Sequence, residues 1–320
     1  MQTSTTVTPV RTTRNGYEVV SDAGTWSCRS VVLAGGACNL PSVPAFADAL
    51  PDSIESLNPL QYCRPDDLPD GGVLVVGAVS TGIQLAEEIH AAGRPVTVSV
   101  GEHVRMPRTY RGRDIQHWME AIGRLDERYD EVEEILKARS VASPQLIGTP
   151  ERRTLDLNQL TEAGARLCGR LGGIRDGVAL LSGGLRNHCA LADQKLTRLL
   201  DEIDDWCVAR DLDGALGEPV RFESTRVAPN PPLTLDLRNG EIATLVWATG
   251  FRPDLSWFEL PVLDTAGRLR HEGGVVDAPG VYFLGATFLR RRRSSFIHGA
   301  ESDTADLAAH LVDYLARAER

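Results

Sequence analysis

An α/β fold is predicted: a parallel sheet flanked by helices, with a small β-meander ahead of it. Three observations predict it. First, Val73-Leu74-Val75-Val76 runs into Gly77-Ala78-Val79-Ser80-Thr81-Gly82 and then a stretch with Ile83, Ala86 and Ile89 on one face. That order is strand, tight turn and helix. Second, another short strand, Val96 to Val100, follows one helix later and completes a βαβ opening of the dinucleotide-binding kind. Third, two apolar strands, Val31 to Ala34 and Leu245 to Ala248, end in small-residue turns on either side of that unit.

The composition bounds the function. The 320 residues suit one large or two modest domains, and the net charge of −10 argues against a nucleic-acid surface. No apolar run is long enough to span a membrane, and Met1 to Pro9 is polar and Thr-rich, so a cytoplasmic location is expected. None of the six cysteines is spaced C-x-x-C, which argues against a redox disulfide and a zinc site.

In chain order, Val7 to Thr13, Gly16 to Ser21 and Thr25 to Leu33 read as three strands, with Arg14-Asn15-Gly16 and Asp22-Ala23-Gly24 as turns. Such a meander buries little alone and should lean on a larger sheet. The third strand breaks at Gly35-Gly36, where backbone can approach a ligand. Residues 45–72 are a Pro/Asp-rich boundary. In the glycine turn, Gly77 permits the bend and Gly82 lets helix and strand pack closely. The N–H groups near Ser80 and Thr81 would face a pyrophosphate. Val79 stands where the second glycine of G-x-G-x-x-G belongs.

Beyond the second strand, Glu102 would suit a free ribose 2′-hydroxyl, whereas Arg105 and Arg108 would suit a 2′-phosphate. The two arginines favour NADP(H). Residues 114–138 read as helical, Ala165 to Leu181 as a hairpin, and Ala190 to Val208 as a helix with Leu191, Leu196, Leu199, Leu200, Ile203 and Trp206 inward. Val281 to Leu284 runs into Gly285, then Arg290 to Arg293 with Ser294 and Ser295, then a helix from about Asp303 to Ala316. The four arginines could meet a phosphate or pair within the chain. His103, His117, His188 and His298 are isolated, so no catalytic acid or base is named.

Together these motifs resemble the flavin-containing monooxygenase-like group of two-dinucleotide-binding-domain flavoproteins, of the FAD-dependent pyridine nucleotide-disulfide oxidoreductase type. Val31–Pro44 looks like that group's first strand end, Val73–Gly82 like its nicotinamide-nucleotide fingerprint and Leu245–Asp254 like its second strand end. Val281–Ser295 looks like the closing flavin segment. The resemblance implies a flavin domain split around the nucleotide domain: 1–70, a remnant of its first half; 71–225, the NAD(P)-binding domain; 226–320, its C-terminal part. It further implies that the flavin domain is incomplete at the N-terminus, because no G-x-G-x-x-G precedes residue 30. Two positions depart from the group's pattern: Gly35 replaces a threonine, and Val79 a glycine.

The implied cofactors are FAD and NADP(H), with hydride passing from NADPH to FAD before oxygenation of a small organic substrate. The implied cofactor contacts are Gly77, Ala78, Ser80, Thr81, Gly82, Arg105 and Arg108, with Gly35, Gly36, Ala248, Thr249, Gly250, Gly285, Ser294 and Ser295. Three readings stay open: a flavin monooxygenase, a non-catalytic nucleotide-binding remnant, and half of a split flavoprotein whose partner, or a second copy, completes the flavin site. An incomplete flavin domain would leave the meander's outer face and the Leu245–Ala248 strand partly uncovered.

Overall fold

From the N-terminus, β1 (Val7–Thr13), β2 (Gly16–Ser21) and β3 (Gly24–Cys28) form an antiparallel sheet, with Thr13 opposite Gly16 and Ser21 opposite Gly24. The expected third strand divides in two. Its second half, β4 (Val31–Leu33), leaves the meander because the Val31 N–H donates to the Gly280 carbonyl at 2.9 Å and the strand runs parallel to a much later one. The computed structural model describes residues 1–318, so Glu319 and Arg320 of the expected closing segment lie outside the described residues. The chain forms two units. One comprises Met1–Leu40, Gly123–Ser140 and Phe251–Arg320; the other comprises Pro41–Ile122 and Val141–Gly250.

The second unit is the α/β body. It contains β5 (Glu55–Leu57), β6 (Gly72–Val76), α1 (Ser80–Ala91), β7 (Val96–Val100), α2 (Ile115–Ala121) and α3 (Leu157–Ala163). Then come β8 (Arg166–Gly169), β9 (Leu171–Arg175), β10 (Val178–Leu181), α4 (Leu185–Val208), β11 (Thr234–Asp236) and β12 (Ile242–Trp247). Five strands pair in the order β8-β7-β6-β12-β5, all parallel. A parallel sheet is covered on both faces, which is why β6, β7 and β12 read as continuous apolar runs. Val73, Val75 and Val98 pack with Ile83, Ala86 and Ile89 of α1 on one face, and Leu74, Val76, Leu245 and Trp247 pack with Ile174 and Ala179 on the other.

Several expectations are corrected here. Leu245 to Ala248 is not uncovered: it is buried in the sheet between β6 and β5. The expected single helix over 114–138 is instead α2, Ile115–Ala121, and a separate short helix near the end of that stretch. Gly123 follows the end of α2, and turns lead to the short helix, Ile135–Arg139. Ala165 to Leu181 is a parallel edge strand, β8, followed by the β9–β10 hairpin that turns at Asp176-Gly177. Helix α4 begins earlier than expected, and Leu191 faces outward, while Leu196, Leu199, Leu200 and Ile203 form the buried stripe.

In the first unit, β13 (His271–Glu272), β14 (Val275–Val276) and β15 (Val281–Phe283) make a sheet in the order β13-β14-β15-β4, and α5 (Ala300–Ala318) follows. The meander does find a core to lean on. Val10 and Tyr17 pack with Leu33, Phe258, Leu260, Val281, Phe283 and Leu307, and the Val10 backbone exchanges hydrogen bonds with Trp257 and Glu259. The unit also takes in Gly123–Ser140: the Tyr129 N–H donates to the Arg290 carbonyl at 2.9 Å, and the Arg292 N–H to the Glu127 carbonyl at 3.1 Å. Its limits differ from the expected divisions at 70/71 and 225/226, since 41–70 and 226–250 lie in the α/β body. The physical reason is β5 and β12, which complete the parallel sheet.

Candidate functional site

The Gly77–Gly82 turn joins β6 to α1, and its glycines are required by contact. Gly77 has φ +118°, and a Cβ there would overlap the Ala248 carbonyl oxygen. A Cβ on Gly82 would overlap the Gly77 carbonyl oxygen. The Gly77 N–H is fixed on the Ser99 carbonyl at 3.0 Å. Val79 is the N-cap of α1, and no side chain caps the helix. The first N–H groups of a helix have no partner within it, and with the helix dipole they favour an anion. The Ser80 hydroxyl instead donates to the Leu146 carbonyl at 2.9 Å.

The loop around Leu146 was not legible as part of this site. Buried Gln145 donates through Nε2 to the Ala78 carbonyl at 2.7 Å, and its Oε1 has no partner. No local pattern announces a residue that meets the turn from so far along the chain. At the other flank, the end of β12 lies against Gly77. Ala248 is buried there, Thr249 donates to the Ser42 carbonyl at 2.6 Å, and the Gly250 carbonyl accepts from the Ser42 N–H at 2.9 Å. The structure thus brings Ala248 against the Gly77–Gly82 turn, with Thr249 and Gly250 following it onto Ser42, within the α/β body.

The arginines after β7 are engaged inside the protein. Arg105 is 5 % exposed and donates to Asp156 Oδ2 from Nε (3.0 Å) and Nη2 (2.7 Å), and from Nη1 to Asp193 (2.8 Å) and the Glu223 carbonyl (2.6 Å). Asp156 caps α3 at the same time, accepting from the Asn158 and Gln159 N–H groups. Arg108 pairs with Asp114 at 2.7 Å and donates to the Ile147 carbonyl at 3.2 Å. Glu102 is exposed.

In the first unit, β4 and β15 are parallel neighbours whose C-terminal ends run to Gly35-Gly36 and Gly285. A Cβ added at any of these three glycines would meet nothing within 4 Å. Ser294 is buried: its hydroxyl accepts from the Arg290 and Arg291 N–H groups and donates to the Arg291 carbonyl at 2.7 Å, while Ser295 is exposed. The arginine run pairs within the chain: Arg290 with Asp306, Arg291 with Asp303 and Asp306, Arg292 with Glu127, and Arg293 with Asp126.

His103 is buried, with Nδ1 donating to the Gly101 carbonyl at 3.0 Å, and burial lowers its pKa. All six cysteines are free thiols. A cavity of about 700 Å³ lies elsewhere on the α/β body, lined by Thr97, Glu162, Arg226, Val227 and Leu235 among others and by none of the turn residues.

A family model described as pyridine nucleotide-disulphide oxidoreductase matches residues 1–153. An uncharacterized CzcO-like oxidoreductase of Geobacillus kaustophilus is 25% identical over 300 residues, 93% of this chain and 69% of that protein. The flavin-containing monooxygenase iboF of Amanita muscaria is 32% identical over 109 residues, 31% of this chain and 20% of that protein. A mutant of a flavin monooxygenase from Stenotrophomonas maltophilia matches in structure with a TM-score of 0.59 at 14% identity, over 98% of this chain and 72% of that one. The fold is therefore that of the two-dinucleotide-binding-domain flavoproteins. The match to the pyridine nucleotide-disulphide oxidoreductase model covers the first 153 residues, and what the chain shares with the flavin monooxygenase is its fold. Among the described residues, no helix is long and apolar enough to cross a membrane.

Proposed function

We propose that the chain serves a flavin-dependent oxidoreductase of monooxygenase type, in which a nicotinamide nucleotide delivers hydride to FAD and a small organic substrate is oxygenated. The observation that carries the reading is the Gly77–Gly82 turn. Its two glycines are forced by contact with Ala248 and Gly77, and the helix behind it starts without a side-chain cap. The partnerless Gln145 Oε1 beside it is a further polar atom suited to a ligand.

The flavin side fits in part. Gly35, Gly36 and Gly285 leave open backbone at the ends of adjacent parallel strands, where ligands of such sheets sit. Among the described residues no second glycine turn of the Gly77–Gly82 kind leads into a helix there, so no pyrophosphate seat is assigned to FAD. When bound, the flavin would take the hydride and pass electrons to dioxygen. This chain's residues would position the two cofactors: Gly77 and Gly82 by close approach, Ser80 and Thr81 through backbone N–H groups, and Gly35, Gly36 and Gly285 by leaving room.

A second reading has its own observation. β4 is the outer strand of its sheet, and Val32 on it is 49% exposed. An edge strand of this kind accepts another strand, so a partner polypeptide or a second copy would complete the flavin site. One experiment separates the two readings: FAD is added to the purified chain and gel-filtered away, and the visible spectrum is recorded before and after NADH or NADPH. A retained spectrum that bleaches supports the oxidoreductase on this chain. Loss of flavin by a monodisperse monomer refutes that assignment for the chain alone.

A further inference from the structure

We infer that the nucleotide taken at the Gly77–Gly82 turn is NADH rather than NADPH, and that Glu102 sets the choice. The inference rests on the nicotinamide-nucleotide reading of that turn and reverses the preference expected from Arg105 and Arg108. In a βαβ dinucleotide unit, the adenosine ribose lies just past the end of the second strand. Here that strand, β7, ends at Val100, and the chain leaves it through Gly101 and Glu102. Glu102 is exposed and makes no hydrogen bond or ion pair among the described residues, so its carboxylate is available to accept from both ribose hydroxyls.

The arginines that would offset a 2′-phosphate are held elsewhere. Arg105 places four donor contacts on Asp156, Asp193 and Glu223 inside the protein. Swinging it outward would take the cation from both Asp156 and Asp193, breaking an ion pair that is buried at Asp156. Arg108 is pinned by Asp114 and the Ile147 carbonyl. A cation that does stand near is Arg170, exposed just past β8, whose Cγ and Cδ lie 3.6 Å from where a Gly101 Cβ would be. A 2′-phosphate here would have Arg170 for it and Glu102 directly against it. A ribose with both hydroxyls free gains Glu102 without that repulsion.

The test is calorimetric titration of the full chain with NADH and with NADPH. NADH is expected to bind about tenfold more tightly or better, the factor a single hydrogen bond to a charged group supplies. Glu102→Arg should reverse the preference, and Glu102→Gln should shrink it. Because Glu102 is exposed and unpaired, both variants should melt like the parent. Equal or tighter NADPH binding by the parent overturns the inference while leaving the nucleotide reading intact; Arg170→Ala then shows whether Arg170 is the determinant instead. An unchanged preference in Glu102→Arg also overturns it. If neither nucleotide binds the folded chain, the nucleotide reading itself fails, and the inference with it.

Discussion

Arg105→Ala is the most informative single change, because the two roles open to this arginine predict opposite results. As a structural cation it joins the loop after β7 to the cap of α3, to Asp193 of α4 and to the Glu223 carbonyl. The Asp156 side chain is 6% exposed, so solvent screens the pair little. Asp156 would keep its bonds to the Asn158 and Gln159 N–H groups, and Asp193 would keep Thr225, whose N–H lies at 2.7 Å and hydroxyl at 2.9 Å. The loss is therefore that of one broken buried pair rather than two, about 3–5 kcal/mol. For a chain of this size that lowers the melting temperature by about 6–20 °C. Thermal unfolding followed by far-UV circular dichroism at neutral pH reads it directly. Arg105→Lys should recover only part of the loss, since an ammonium cannot reproduce the forked contacts. A melting temperature within about 2 °C of the parent, together with a weakened NADPH titration, would refute the structural assignment and return Arg105 to the nucleotide.

Three further outcomes are expected. His271 accepts the Gly274 N–H on Nδ1, and burial, with Arg139 nearby, pushes its pKa down to about 4. Between pH 6.5 and 4 the unfolded chain then binds the extra proton, so this contribution is complete above pH 6.5 and lost as pH falls. Urea unfolding should show the parent losing about 2 kcal/mol more between pH 7.5 and 5 than His271→Gln does; equal losses would remove the assignment. Gly82→Ala should cost about 1–3 kcal/mol and weaken nucleotide binding, because its Cβ has no space against Gly77; an unperturbed titration would show that the turn does not hold the ligand. In thiol titration of the native chain, exposed Cys38 and Cys63 should react fast. Cys168 and Cys189, buried with pKa values raised to about 12 and about 11, should react only on unfolding; early loss of all six thiols would contradict the packing.

What was legible in the sequence was whatever a short window contains. Val73 to Gly82 announced strand, turn and helix because a four-residue apolar run, a glycine and a 3.6-residue period lie side by side, and the same holds for β7 and most of α4. The order of the glycine-ended strands made the two-domain flavoprotein architecture readable. What failed was pairing over long separations. Nothing near Arg105 shows that Asp156 and Asp193 close on it, so a loop arginine read as a phosphate ligand. Nothing near Leu245 shows that its strand fits between β6 and β5. The acidic stretch after Ala121 read as a helix face, but Asp126 and Glu127 are committed to Arg293 and Arg292.

The position of β12 carries a consequence for how the protein is made. This strand lies between the middle strand β6 and the edge strand β5, yet it is among the last parts of the α/β body to leave the ribosome, long after β6. Until it arrives, β6 exposes one whole row of backbone donors and acceptors, and Gly77 lacks the carbonyl wall that shapes its turn. Synthesis therefore passes through a stage in which a nascent sheet is open at its centre, the arrangement most prone to wrong strand pairing. A message cut short before Trp247 would yield a chain that holds every residue of the glycine turn and still cannot form it.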